Sequence, residues 1–176
     1  DLMISKEKIA EVLAGYDPCR LSIATIGSHS ALQIFHGAKE EGLRTINICT
    51  QDRQATYESF PCAKTDRFLI VDDFKDILRE ETQRELIEEN CIVVPHGSFV
   101  EYVTPKAILE RFAVPVFGNR ESLNWETDRT RQRTWLESAG LRMPKEYRAP
   151  SEIDRRVFVK LAGAKGGRGF FTASSE

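Results

Sequence analysis

Short apolar runs alternate with amphipathic stretches along the first two thirds of the chain, and this alternation restricts the fold more than any other feature. The runs are residues 21–26, 45–49, 67–71, 91–94 and 114–117. Their length and β-branched content are those of parallel strands covered on both faces. Between the first two, residues 30–41 place Ala31, Ile34, Phe35 and Ala38 on one helical stripe, and Gly42 stands where a left-handed residue usually ends a helix. A second helix is predicted from about Phe74 to Glu89, capped by Asp72 or Asp73. A third starts at Thr104 with Pro105 in its first position, and buries Ile108, Leu109 and Phe112. Strand, helix, strand, with short connections, means βαβ units. The expected fold class is therefore α/β, a doubly wound, Rossmann-like parallel sheet.

After Gly118 the texture changes. Residues 121–139 read as one long charged helix with Leu123, Trp135, Leu136 and Ala139 as its apolar side. Gly140, Pro144 and a polar stretch to Pro150 follow, then a strand at 157–161 and a glycine-rich loop at 163–169. The domain boundary is expected between Gly118 and Arg120. This gives a first domain of residues 3–118 and a second of residues 119–176.

The 41% of hydrophobic and 30% of charged residues describe a globular chain and not a disordered one. A net charge of −2 leaves no basic excess to neutralise a nucleic-acid backbone, so no nucleic-acid partner is expected. No apolar run approaches the roughly 20 residues needed to span a bilayer, and the start of the chain lacks the apolar region of a signal peptide. Cys19, Cys49, Cys62 and Cys91 form no CxxC pair and have no histidine at metal-ligand spacing. A cytoplasmic protein with reduced thiols and no membrane partner is the expectation.

Two turns carry the first candidate site. The first strand runs into Gly27-Ser28-His29-Ser30 and then a helix; the fourth runs into Pro95-His96-Gly97-Ser98-Phe99. In open parallel sheets ligands sit at the carboxyl ends of the strands, and a helix N-terminus suits a phosphate. Gly27 lets the backbone approach a ligand closely, the serines offer hydroxyl donors, and His29 offers a donor that can be cationic. Each turn alone is equally well a helix cap with a solvated histidine. Two such turns on one sheet edge favour a polar pocket. His36, mid-helix and off the apolar stripe, reads as a surface residue. The second candidate site is Lys160 on the late strand with the loop that follows: a strand lysine pairs with nucleotide phosphates, and a glycine-rich flap closes over them. The loop matches neither the P-loop nor the dinucleotide fingerprint, and a plain glycine-rich hairpin is its bland alternative.

The stretch from Asp128-Arg129 through Trp135-Leu136 and Ala139-Gly140-Leu141-Arg142-Met143-Pro144 to Val159-Lys160 and the glycine loop resembles the entry into an ATP-grasp domain. The resemblance is more specific across the whole chain. Residues 23–30, Leu32-Gln33-Ile34, Gly37-Ala38-Lys39, Glu41-Gly42, residues 92–99, Phe117-Gly118-Asn119-Arg120 and residues 163–169 are similar, in order, to the N-terminal portion of the archaeal PurP family. These are formate-dependent 5-formaminoimidazole-4-carboxamide ribonucleotide (FAICAR) synthetases of the ATP-grasp superfamily.

That resemblance implies a pre-ATP-grasp domain followed by a truncated start of the ATP-grasp domain. It implies an ATP-dependent carbon–nitrogen ligase of purine (IMP) biosynthesis that formylates 5-aminoimidazole-4-carboxamide ribonucleotide through formyl phosphate. The partners are then that ribonucleotide, formate and ATP with Mg²⁺, whose ligands are expected beyond the end of this chain, so that the chain alone is expected to be inactive. The histidine and serine matching His29 and Ser98 bind the ribonucleotide, with Gly27 and Ser28 beside its phosphate. Lys160, Gly166, Gly167, Arg168 and Gly169 hold ATP. Family members tend towards homo-oligomers. No catalytic residue is assigned. Two other readings stay open: an ATP-grasp paralogue acting on another phosphorylated small molecule, and a non-catalytic nucleotide-binding module.

Overall fold

The computed structural model describes residues 3–28, 30–160 and 170–174. The chain divides into two compact units, residues 1–132 and 133–176. The first unit is built on four parallel strands, β1 (Ser22–Ile26), β2 (Arg44–Cys49), β3 (Arg67–Ile70) and β4 (Cys91–Val93), in the order β3-β2-β1-β4. Helix α1 (Lys6–Ala14) precedes the sheet. The crossovers are α2 (Ala31–Glu40) between β1 and β2, α3 (Gln51–Glu58) between β2 and β3, and α4 (Glu80–Glu88) between β3 and β4; α5 (Gly97–Tyr102) and α6 (Pro105–Arg111) follow. The expected run at 114–117 extends the sheet only by a parallel bridge, Val93 to Val116. The α/β class and the parallel sheet expected from the sequence are those observed.

Side-chain alternation along the strands creates two different faces. Ala24, Ile26, Ile46, Ile48, Leu69 and Val93 join Phe74, Ile77, Leu86, Phe99, Ile108 and Phe112 in the main core. The other face carries buried Thr25, Thr45 and Asn47. It is covered by α2, whose Ala31 and Phe35 cluster with Tyr57 and Ala63. The stripe read from sequence is buried as expected at Ala31, Phe35 and Ala38. Gly42 ends the helix at φ +71°, a backbone region that suits glycine. Burial pushes the Cys49 thiol up to about 11 and the Cys91 thiol up to about 12, so both behave as small hydrophobes; all four cysteines are free.

Two predicted helices are interrupted. Residues 74–78 form a 3₁₀ segment whose N-cap Asp73 and N3 residue Asp76 make a reciprocal capping box, and Arg79, at ψ 143°, breaks it from α4. The long helix expected over 121–139 splits into α7 (Ser122–Thr127) and α8 (Arg129–Ser138). Asp128 is extended there, and its carboxylate accepts from Thr130 N at 2.8 Å, capping α8 instead of continuing α7. Thr104 caps α6 as predicted, its hydroxyl accepting from Ala107 N. His36 is exposed as expected.

Asp66 fixes the start of β2 against β3. Its carboxylate accepts from the Thr45 backbone N–H and hydroxyl, each at 2.8 Å, with Lys39 at 3.7 Å. Burial pushes the Asp66 pKa up, but the Thr45 bonds and Lys39 outweigh it and hold the carboxyl below its ordinary value. A carboxyl whose pKa is lower folded than unfolded contributes stability above its unfolded value, about 3.9, and loses it as pH falls through the folded value. Asp66→Asn is therefore expected to lower the urea midpoint at pH 7, with the gap to wild type closing between about pH 5 and pH 3. A gap of equal size at both ends of that window would contradict this account.

In the second unit, β5 (Val157–Lys160) and β6 (Phe170–Ala173) form an antiparallel hairpin in which Lys160 pairs with Phe170. Arg133 donates to the Pro144 carbonyl at 2.9 Å and pairs with Glu137 and Glu146, which holds the chain after Gly140 against the end of α8.

Candidate functional site

The chain reverses its direction of travel across the sheet between β1 and β4. From β1 it winds outward through β2 to β3, then crosses back to place β4 on the other side of β1. This is a topological switch point, where the two loops leaving the carboxyl ends of adjacent strands diverge and open a crevice. The loop leaving β1 is Gly27–Ser28 and the loop leaving β4 is residues 94–96, so the two turns singled out from sequence leave adjacent strands at this switch point.

They are also bonded to each other. His96 Nε2 stands 3.1 Å from the Ile26 carbonyl, and His96 Nδ1 accepts from Ser98 N at 3.4 Å. These contacts together select the tautomer with its proton on Nε2. Thr25 Oγ1 donates to the Val94 carbonyl at 2.7 Å and closes the seam one residue below. His96 is thus the N-cap of α5 and the tie between the turns, a role the sequence showed only as a histidine in a glycine-serine turn. Ser28 and Ser98 are 8% and 7% exposed, and among the described residues neither hydroxyl is used in a hydrogen bond. Both are left as donors at the rim. His29 lies outside the described residues.

Gly27 is required by space. A Cβ there would stand 2.6 Å from Asn47 Oδ1, 2.7 Å from Cys49 Cβ and 3.0 Å from Tyr57 Cε2. Its N–H donates to the Ile48 carbonyl at 2.7 Å. Asn47 is fully buried beneath it, and among the described residues its side-chain amide has no hydrogen-bond partner.

Arg53, in the first turn of α3, escaped the sequence reading. Its Nη1 donates to the Gly27 carbonyl at 3.2 Å. Its guanidinium lies 5.1 Å from the Phe74 ring centroid and 5.9 Å from that of Tyr102. The signal that could have found it was the strand-end rule applied to β2, because Thr50 and the first turn of α3 follow its carboxyl end on the same edge. Lys160, the anchor of the second candidate site, is exposed at the end of β5. Gly166, Gly167, Arg168 and Gly169 lie outside the described residues. Among the described residues no group of three or more His, Cys, Asp or Glu side chains is placed to hold a metal ion. No helix among them is long and apolar enough to cross a membrane.

Comparison with known proteins places this geometry in context. The family described as "Protein of unknown function (DUF1246)" matches residues 23–147. A curated relative from Korarchaeum cryptofilum, 5-formaminoimidazole-4-carboxamide-1-(beta)-D-ribofuranosyl 5'-monophosphate synthetase, is 58% identical over 98% of this chain and 47% of its own. One of the same name from Methanococcoides burtonii is 52% identical over 97% of this chain and 47% of its own. The chain thus spans about half the length of the curated relatives it matches. Among solved structures, the IMP biosynthesis protein PurP from Thermococcus kodakaraensis is 34% identical, with a TM-score of 0.58 over 88% of this chain and 46% of that one. The family resemblance read from the ordered motifs, to the N-terminal portion of PurP proteins, agrees with these relatives.

Proposed function

We propose, because the chain belongs to the DUF1246 family, that residues 3–118 are the ribonucleotide-binding domain of an ATP-dependent carbon–nitrogen ligase and residues 119–176 the start of its ATP-grasp domain. In this reading the whole protein formylates 5-aminoimidazole-4-carboxamide ribonucleotide to FAICAR. A formate oxygen attacks the terminal phosphorus of ATP, giving formyl phosphate and ADP. The substrate amine then attacks the formyl carbon, the carbon–oxygen bond to phosphate breaks, and the amine's proton and inorganic phosphate leave. The names borne by the curated relatives support the assignment.

The observation that carries the reading is the pairing of the two turns at the switch point, tied by the His96 contact to the Ile26 carbonyl. The crevice offers the Ser28 and Ser98 hydroxyls beside a Gly27 turn that packs closely over Asn47, Cys49 and Tyr57. His29, next in the chain, completes the proposed substrate contacts, while Lys160 with Gly166, Gly167, Arg168 and Gly169 forms the proposed ATP contacts. Mg²⁺ would accompany ATP, and no step is assigned to it.

The test is calorimetric titration of the aminoimidazole carboxamide ribonucleotide into the full-length protein. Ser98→Ala is expected to weaken binding about tenfold, the effect of losing one hydrogen bond to a charged or strongly polar group. An affinity unchanged in both Ser98→Ala and His29→Ala would remove the crevice as the substrate site.

A further inference from the structure

The crevice between the two turns has polar hydroxyls and backbone groups, but an anion needs a fixed positive charge to balance its loss of water. Arg53 lies where that charge is needed. Its guanidinium touches the Gly27 carbonyl on one side of the crevice. On the other side it faces Tyr102, which lies one helical turn beyond Ser98 on the same face of α5. The Phe74 and Tyr102 rings, 5.0 Å apart, both contact the guanidinium. They hold its plane in place without using its N–H groups.

Among the described residues Arg53 has no carboxylate within ion-pair distance and makes a single hydrogen bond. An arginine carries five N–H donors and stays charged throughout the accessible pH range. Four donors on a half-buried, ring-braced guanidinium are therefore uncommitted at the edge of the site. By contrast, Arg44 and Arg67, at the opposite edge of the sheet, are both occupied by Glu89.

We infer that Arg53 is the cation that holds the phosphate monoester of the ligand bound between the Gly27–Ser28 and His96–Ser98 turns. This inference rests on the ribonucleotide reading and adds a residue to it. The guanidinium presents two N–H groups to two phosphate oxygens, while its bond to the Gly27 carbonyl fixes the same turn that approaches the ligand. A lysine keeps the charge but not the fork or the stacking.

The experiment compares wild type, Arg53→Lys and Arg53→Met in the full-length protein. Each is titrated with the aminoimidazole carboxamide ribonucleotide, with its unphosphorylated riboside, and with MgATP. Arg53→Met is expected to weaken the ribonucleotide by about 10- to 100-fold, the range for a lost charge-assisted contact. The riboside and MgATP should change by less than about threefold, because neither places a phosphate monoester at this rim, and Arg53→Lys should fall between. An equal loss for ribonucleotide and riboside would reduce Arg53 to a support for Gly27 and overturn the inference. So would a ribonucleotide affinity unchanged in Arg53→Met while Ser98→Ala weakens it. A loss confined to MgATP would place the phosphate of ATP there instead and would equally refute it. Should Arg53→Met fail to fold, Arg53→Lys decides alone: an unchanged ratio of ribonucleotide to riboside affinity overturns the inference. If wild type binds neither nucleotide nor riboside, the functional reading itself falls, and this inference with it.

Discussion

Replacing Phe99 with alanine is expected to destabilise the first unit by about 3–5 kcal/mol, the usual cost of emptying a buried aromatic site. In a chain of this size that lowers the melting temperature by on the order of 10 °C. Phe99 is 1% exposed and belongs to the main core with Ile26, Ile48, Phe74 and Val103. Its ring also meets His96 edge to face, with centroids 5.5 Å apart and an interplanar angle of 88°. It follows Ser98 directly in α5, a helix of six residues whose own hydrogen bonds cannot sustain it alone. Packing of Phe99 is therefore what holds Ser98 and His96 at the crevice. The same substitution should weaken ribonucleotide binding by more than Ser98→Ala does, because it releases both residues together. Phe99→Leu keeps most of the volume and should cost less than about 1.5 kcal/mol. Thermal unfolding followed by circular dichroism reads the comparison. A melting temperature for Phe99→Ala within about 3 °C of wild type would mean that the core closes over the vacancy and that α5 does not depend on it.

Much of this architecture is legible in the chain because its central strands, β1 and β2, are buried on both faces. Runs such as 91–94 have no alternation to confuse with a helix, and their ends are marked by glycine and proline. The edge of the sheet that carries the site follows from the same reading, since Gly27 and Ser98 stand just past two strand ends. The breaks at Arg79 and Asp128 did not show. At Asp128 the carboxylate caps the following helix and competes with propagation of the first, and at Arg79 the backbone turns extended with no side-chain cap; polar residues follow both positions, so the apolar pattern marks neither. Helix α3 was missed for the opposite reason: its one buried residue is Tyr57, so it presents no stripe. Arg53 rides on that helix. Its neighbours Gly27, Phe74 and Tyr102 are far from it in the chain, and no local pattern announces a contact set of that kind.

Gly27→Ala should be damaging out of proportion to the single methyl group it adds. The new Cβ would come within 2.6 Å of Asn47 Oδ1 and 2.7 Å of Cys49 Cβ. Contacts that short do not persist, so one of the groups must move. The Cys49 Cβ is fixed by a central strand, and the Asn47 side chain is fully enclosed. The movement then falls on the Gly27 turn itself. Overpacking of this kind costs about 1–3 kcal/mol. The turn would carry with it the Gly27 N–H bond to Ile48 and the Gly27 carbonyl that receives Arg53. Ribonucleotide affinity is accordingly expected to fall at least as far as in Arg53→Met, since the turn and the guanidinium it receives shift together. Gly37 is the internal comparison. It lies within α2, and a Cβ added there meets nothing within 4 Å. Gly37→Ala should therefore raise stability by up to about 1 kcal/mol through helix propensity alone, and leave binding unchanged. Measuring unfolding midpoints and ribonucleotide affinity for the two alanine variants side by side separates spatial exclusion from a general intolerance of substitution. Equal behaviour of Gly27→Ala and Gly37→Ala in both measurements would show that the turn has room to spare, and the close packing beneath Gly27 could not then be what shapes the crevice.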